Sequence, residues 1–151
     1  MDIETLIPHR GRMKLIEEIL SINTDMAVTS AKVSNRWPLY QESFVDPIVL
    51  IEIVAQTTAV HISWKSKSAK GGGGKGWLVG VKGADFFLDQ IPVDTVLIST
   101  VRNLDSIDNY NVVNGEVMMG MDLVCRIQIQ VLRSWPGGIS SPWSLSRSGV
   151  I

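Results

Sequence analysis

DPIVLIEIVAQTTAVHISWK, residues 46–65, reads as a helix that needs burial on almost every side. Asp46 can cap free amides with its side chain, and Pro47 at the first helical position forgoes only an amide that would have no helical partner. The helix is expected to run to about Lys67. From Val49 to Val60 apolar residues fall on nearly all faces, an arrangement that water disfavours at a domain surface. Glu52, Gln56 and His61 interrupt the run, and it falls short of the ~20 predominantly apolar residues that a membrane span requires. The helix therefore belongs inside a domain, with other structure wrapped around it.

The flanking sequence supplies that wrapping. Asp2 to Leu6 suits a short opening helix, and Pro8 then forces the chain extended before a first strand, Lys14 to Ile22. Asn23, Thr24 and Asp25 form a turn into Met26 to Ser34, where Ala27, Thr29, Ala31 and Val33 alternate with Val28, Ser30 and Lys32 as in a half-buried strand. Asn35 to Val45, with Trp37, Pro38, Tyr40 and Phe44, has no clean period and reads as a long aromatic loop. Beyond the helix, Ser66 to Gly76 is linker-like in composition. Four strands are expected after it, at Trp77 to Phe87, Thr95 to Asp105, Tyr110 to Met118 and Asp122 to Ser134. The expected fold is an α+β domain over residues 1–135, a curved antiparallel sheet wrapped around one central apolar helix. Residues 136–151, rich in Gly, Ser and Pro, read as a loose C-terminal tail.

Composition narrows the class of function. With 151 residues, 45% of them hydrophobic, the chain can bury a core without disulfides or metal. Fourteen Lys and Arg against fifteen Asp and Glu leave a net charge of −1, so no whole-chain field attracts nucleic acid or an anionic membrane. The acidic start MDIETLIPHR does not resemble a secretory or transit signal, and cytoplasm is the expected compartment. A lone cysteine, Cys125, excludes an intrachain disulfide and multi-cysteine metal sites. It falls on the apolar face of its strand, which points to a buried, inert thiol.

Glu52 is the most unusual placement in the chain. A carboxylate in the second turn of an apolar helix is either desolvated or open to a cleft, and either case suits proton transfer. Gln56 lies four residues on, on the same helical face, so the two side chains can bond each other or a common ligand. The competing account is a structural pairing of Glu52 with a basic residue across the core, for instance Arg10, Arg12 or Arg36. GGGGK at residues 71–75 is not a phosphate-binding loop, because Gly76 stands where Ser or Thr is required and the segment follows a helix.

IPHRGRM at Ile7 to Met13, together with EIVAQ at Glu52 to Gln56, resembles the 3-hydroxyacyl-acyl carrier protein dehydratases of the hotdog-fold superfamily. Pro8, His9, Arg10, Glu52 and Gln56 match by type and order, and the likeness of organisation covers roughly residues 3 to 133. The resemblance implies a homodimer and an acyl chain carried as a thioester on a phosphopantetheine arm, of acyl carrier protein or coenzyme A. It implies 3-hydroxyacyl-thioester dehydratase-like chemistry in fatty-acid or related acyl metabolism, with Glu52 and Gln56 as the catalytic pair. No metal or nucleotide cofactor is implied. Alternatives within the same superfamily are an acyl thioesterase and a non-catalytic acyl-binding subunit.

One departure stands out. In such enzymes a histidine in the loop before the helix removes the α-proton and reaches the partner subunit's carboxylate, yet no histidine lies between Trp37 and Pro47. His9 is read as a brace for the N-terminal arm, and His61 as a satisfied histidine on the far side of the helix. Asp46, Glu42 and Tyr40 are substitute bases on the loop, against capping for Asp46 and a solvated charge for Glu42. Free amides of Ile48 and Val49 are expected to hold the thioester carbonyl, and Phe44 to join them in lining the substrate. Lys65, Lys67, Lys70 and Lys75 are either a carrier-docking patch or a solvated linker.

Overall fold

The computed structural model describes residues 1–68, 76–107 and 110–133. Residues 69–75 of the expected linker and the whole expected tail, 136–151, lie outside the described residues.

After two single-turn 3-10 helices, Ile3–Thr5 and Gly11–Met13, the strands β1 (Glu18–Ile22) and β2 (Met26–Lys32) form the expected antiparallel hairpin. Strands β3 (Tyr40–Gln41) and β4 (Phe44–Val45) lead to the helix α1 (Val49–Ser68). Then follow β5 (Gly76–Phe86), β6 (Ile91–Pro92), β7 (Val96–Ile107), β8 (Tyr110–Met119) and β9 (Asp122–Arg133). Six strands make one antiparallel sheet in the order β1-β2-β7-β8-β9-β5, and α1 packs against β2, β7, β8, β9 and β5. The remaining three short strands form a small separate sheet, β3-β4-β6. No described helix is long and apolar enough to cross a membrane.

Period-two burial follows the strands closely. In β2, Ala27, Thr29 and Ala31 are buried, and in β9 Cys125, Ile127, Ile129 and Val131 are. These side chains meet Leu50, Ile53, Val54 and Val60 of α1 to build the core. Helix and sheet approach closely at Gly115 on β8, where a Cβ would lie only 2.3 Å from Val54 Cγ1. A glycine there lets the helix settle onto the sheet.

Two expectations need correction. The first strand begins at Glu18 rather than Lys14, because Leu15 and Ile16, both buried, give their amides to the Gln56 side chain instead of a neighbouring strand. The aromatic loop is also more regular than its sequence suggests, since Tyr40↔Val45 and Val45↔Ile91 register it in the small sheet. Neither feature has a sequence period, because each depends on a partner distant in the chain.

Candidate active site

The site is built where the N-terminal arm crosses α1. Gln56 has no exposed surface, so each of its polar atoms must find a partner inside the protein. Its Nε2 donates to the Met13 carbonyl at 2.6 Å and to Glu52 Oε1 at 2.9 Å. Its Oε1 accepts from the Leu15 amide at 3.0 Å and, more weakly, from the Ile16 amide at 3.5 Å. One side chain thus pins the arm to the helix and holds the carboxylate.

Glu52 sits one turn earlier, as the spacing of four residues requires. Its Oε1 meets His9 Nε2 at 3.1 Å, with side-chain exposures of 35% for Glu52 and 28% for His9. Both groups therefore reach solvent while touching each other. Among the described residues Oε2 of Glu52 accepts no hydrogen bond. His9 Nδ1 is buried and has no hydrogen-bond partner.

The basic residue that meets Glu52 is His9 and not one of the arginines offered as examples. Arg10 pairs with Glu4 at 3.6 Å, and Arg12 Nε donates to the Arg36 carbonyl at 2.9 Å. His9, expected as a brace for the N-terminal arm, is the residue in contact with the carboxylate. Its position in the Pro8-His9-Arg10 motif was legible, but the crossing that carries it to α1 depends on Gln56. His61 is remote in role: its Nε2 bonds the Asn23 carbonyl at 2.8 Å, the satisfied histidine that was expected.

The helix N-terminus also differs from expectation. Ile48 N–H donates to Asp46 Oδ1 at 2.9 Å and Val49 N–H to the Asp46 carbonyl at 3.1 Å. The two amides expected to be free are thus already used by the Asp46 capping turn. Ile48 is 53% exposed while Val49 is buried and Phe44 half-buried, so Ile48 offers surface and Val49 mainly packing. Asp46 acts as the cap, Glu42 is exposed, and Tyr40 donates its hydroxyl proton to the Glu42 carbonyl. None of the three loop groups contacts Glu52. Lys67 is tied to the Thr5 carbonyl at 2.8 Å, and Lys70 and Lys75 lie outside the described residues.

Burial pushes the Cys125 thiol up to about 12, with Glu116 nearby adding to the shift and a backbone hydrogen bond at Val117 opposing it. Such a thiol is no nucleophile at ordinary pH.

Solved structures share this fold. The dehydratase heterocomplex ApeI:P from Xenorhabdus doucetiae is similar with a TM-score of 0.80 at 17% identity, over 91% of this chain and 94% of that one. A hypothetical thioesterase with coenzyme A from Streptococcus pneumoniae TIGR4 is similar with a TM-score of 0.64 at 15% identity, over 82% and 88% of the two chains. The PaaI protein of the E. coli phenylacetic acid degradation operon gives 0.62 at 15% identity, over 77% and 82%. These likenesses show that the helix and its curved sheet form a hotdog fold. A search of curated proteins finds no match to the sequence. The family model described as ApeP-like, ApeP dehydratase, matches residues 1–135, and the chain belongs to that dehydratase family.

Proposed function

We propose that the protein binds an acyl chain held as a thioester on a phosphopantetheine arm, of acyl carrier protein or coenzyme A, and interconverts its 3-hydroxyacyl and enoyl forms. The observation that carries this reading is the contact between His9 Nε2 and Glu52 Oε1 within one chain. Dehydration needs a base at the α-carbon and an acid at the β-hydroxyl, and a histidine beside a carboxyl group supplies both.

The reaction needs a ring nitrogen of His9 free to accept a proton and a carboxyl proton on Glu52 Oε2. His9 Nε2 removes the α-proton, the C–H electron pair forms the new double bond, and the β-carbon–oxygen bond breaks. Glu52 gives its proton to the departing hydroxyl, which leaves as water. The α-proton then rests on His9 and Glu52 is a carboxylate; both groups reach solvent, and exchange with it removes the proton from His9 and restores one to Glu52 Oε2. Gln56 engages Oε1 and leaves Oε2 for the substrate hydroxyl. His9 thereby takes the part that a histidine in the loop before the helix would otherwise play.

A second copy would complete the assembly. Ile48 is exposed, and Ile51, Ala55, Ala59 and Ile62 form a half-buried apolar stripe along α1. Strand β5 is a sheet edge carrying exposed Val81 and Phe86, with Phe87 just beyond it. Covering these groups with another copy favours a homodimer. Residues Phe44, Ile48 and Val49 would line the acyl end of the site through their side chains rather than through free amides. Action in the cytoplasm, in fatty-acid or related acyl metabolism, fits this substrate class.

The test is to incubate the protein with a 3-hydroxyacyl carrier thioester and with its enoyl counterpart, following interconversion and thiol release separately. Interconversion that disappears in both Glu52→Gln and His9→Gln supports the reading. A thioesterase is the second reading, because a histidine-paired carboxylate can equally activate water and one similar fold was solved with coenzyme A. Release of free acid and thiol without enoyl product would select it. Binding with neither reaction would leave an acyl-binding subunit.

A further inference from the structure

We infer that Arg10 is a positioning residue, whose guanidinium gathers the carbonyls around the Pro8-His9 peptide and so aims His9 at Glu52. The inference rests on the pairing of His9 with Glu52 in the proposed function, and it explains a conspicuous cation whose partners do not include Glu52.

The geometry is specific. Arg10 Nη1 donates to the Ile7 carbonyl at 2.8 Å and to the His9 carbonyl at 2.8 Å, the two that bracket Pro8. Its Nη2 donates to the Glu4 carbonyl at 2.7 Å, and Nε faces Glu4 Oε2 at 3.6 Å. Three carbonyls on three residues are thus held by one planar group, a task that suits the fixed fork of donors on arginine. Beneath them, Ile3, Leu6 and Ile7 are buried and anchor the arm in the core. Pro8 restricts its own backbone, and the Arg10 bonds fix the carbonyls on either side of it. The remaining freedom of His9 lies in its side chain, which the Glu52 contact takes up.

The Glu4 carboxylate is the less important half of this arrangement. It is half-exposed, shares its charge with Lys14 Nζ at 3.0 Å, and meets Arg10 only at 3.6 Å. Exposed pairs of this kind contribute little. Three short bonds from a cation to carbonyl oxygens contribute more, because charge-assisted hydrogen bonds are the stronger class. The carbonyl bonds, and not the ion pair, therefore carry the positioning.

The experiment combines histidine nitrogen NMR with kinetics on Arg10→Ala, Arg10→Lys and Glu4→Gln. The chain has two histidines, so the His9 signal is the one lost in His9→Gln. In the parent protein its carbon-bound ring protons should show through-space contacts to the Glu52 side chain. Arg10→Ala and Arg10→Lys are expected to lose that signature and to lower kcat about 10–100-fold with KM nearly unchanged, the scale expected of a catalytic group displaced by about 1 Å. Glu4→Gln is expected to keep both. Arg10→Lys retains the charge while giving up the fork, and it carries the test if Arg10→Ala does not fold. An unchanged His9 signature in a folded Arg10 variant overturns the inference even where turnover falls. The NMR readout needs no turnover, so a parent protein that lacks dehydratase activity overturns the functional reading and leaves this test standing.

Discussion

His9 and Glu52 face each other at 3.1 Å across the crossing of the N-terminal arm and α1, and Gln56 holds the crossing closed. In the proposed reaction both groups serve one step, so their losses should not add. His9→Gln and Glu52→Gln are each expected to lower the interconversion rate about 10²–10⁴-fold. The double variant should be little slower than the worse single one. Single-turnover rates on a 3-hydroxyacyl thioester decide the point, and a doubled loss in the double variant would mean that the residues act separately.

Gln56→Leu keeps the bulk and removes every bond. The Met13 carbonyl and the Leu15 amide would then be left without their partners, at a cost of about 1–3 kcal/mol for each buried group that finds no substitute. Glu52 would lose the donor that holds Oε1. The expected outcome is a lower urea midpoint with an unchanged m-value, together with reduced kcat. A variant as stable as the parent would show that water replaces the amide there.

These two sites show what local sequence can and cannot reveal. The α1 helix was legible from its cap and its all-round hydrophobicity, and observed bounds of Val49–Ser68 fall within three residues of the expected ones. The long strands declared themselves through alternation, β9 most clearly, because period-two burial is a property of each strand alone. Glu52 and Gln56 could be placed on one face by helical spacing. The partner of Glu52 could not, since a contact between residue 9 and residue 52 leaves no periodic trace. The same reason hid the irregular path of Leu15 and Ile16 and the three two-residue strands of the small sheet. At the helix start the Asp46 cap was read correctly. Its consequence, that capping consumes the Ile48 amide, depends on the loop geometry and not on residue type.

Gly115 offers a test of the fold that leaves the site untouched. Added at this position, a Cβ would lie 2.3 Å from Val54 Cγ1 and 2.9 Å from Cγ2, closer than packed atoms tolerate. Gly115→Ala should therefore destabilise the protein by about 1–3 kcal/mol through overpacking. Combining it with Val54→Ala removes the opposing methyls and should cost less than the sum of the two changes. Thermal melts of the four proteins measure that coupling, and strict additivity would count against the close approach.

Cys125 makes the alkaline limb of stability testable. Folded, the thiol holds its proton until about 12, chiefly because burial disfavours the thiolate; unfolded, it releases the proton near 9.0. Between these values unfolding releases a proton, so rising pH favours the unfolded chain. The contribution of this group is intact below 9.0 and is lost progressively as pH climbs toward 12. Cys125→Val removes the titrating group at a similar size, and its urea midpoint should fall less steeply than the parent's from pH 9 upward. Labelling by a thiol reagent at pH 8 should be slow in the native protein and should accelerate with urea in step with unfolding. Rapid labelling without denaturant would place the thiol at the surface and remove the cause of its shift.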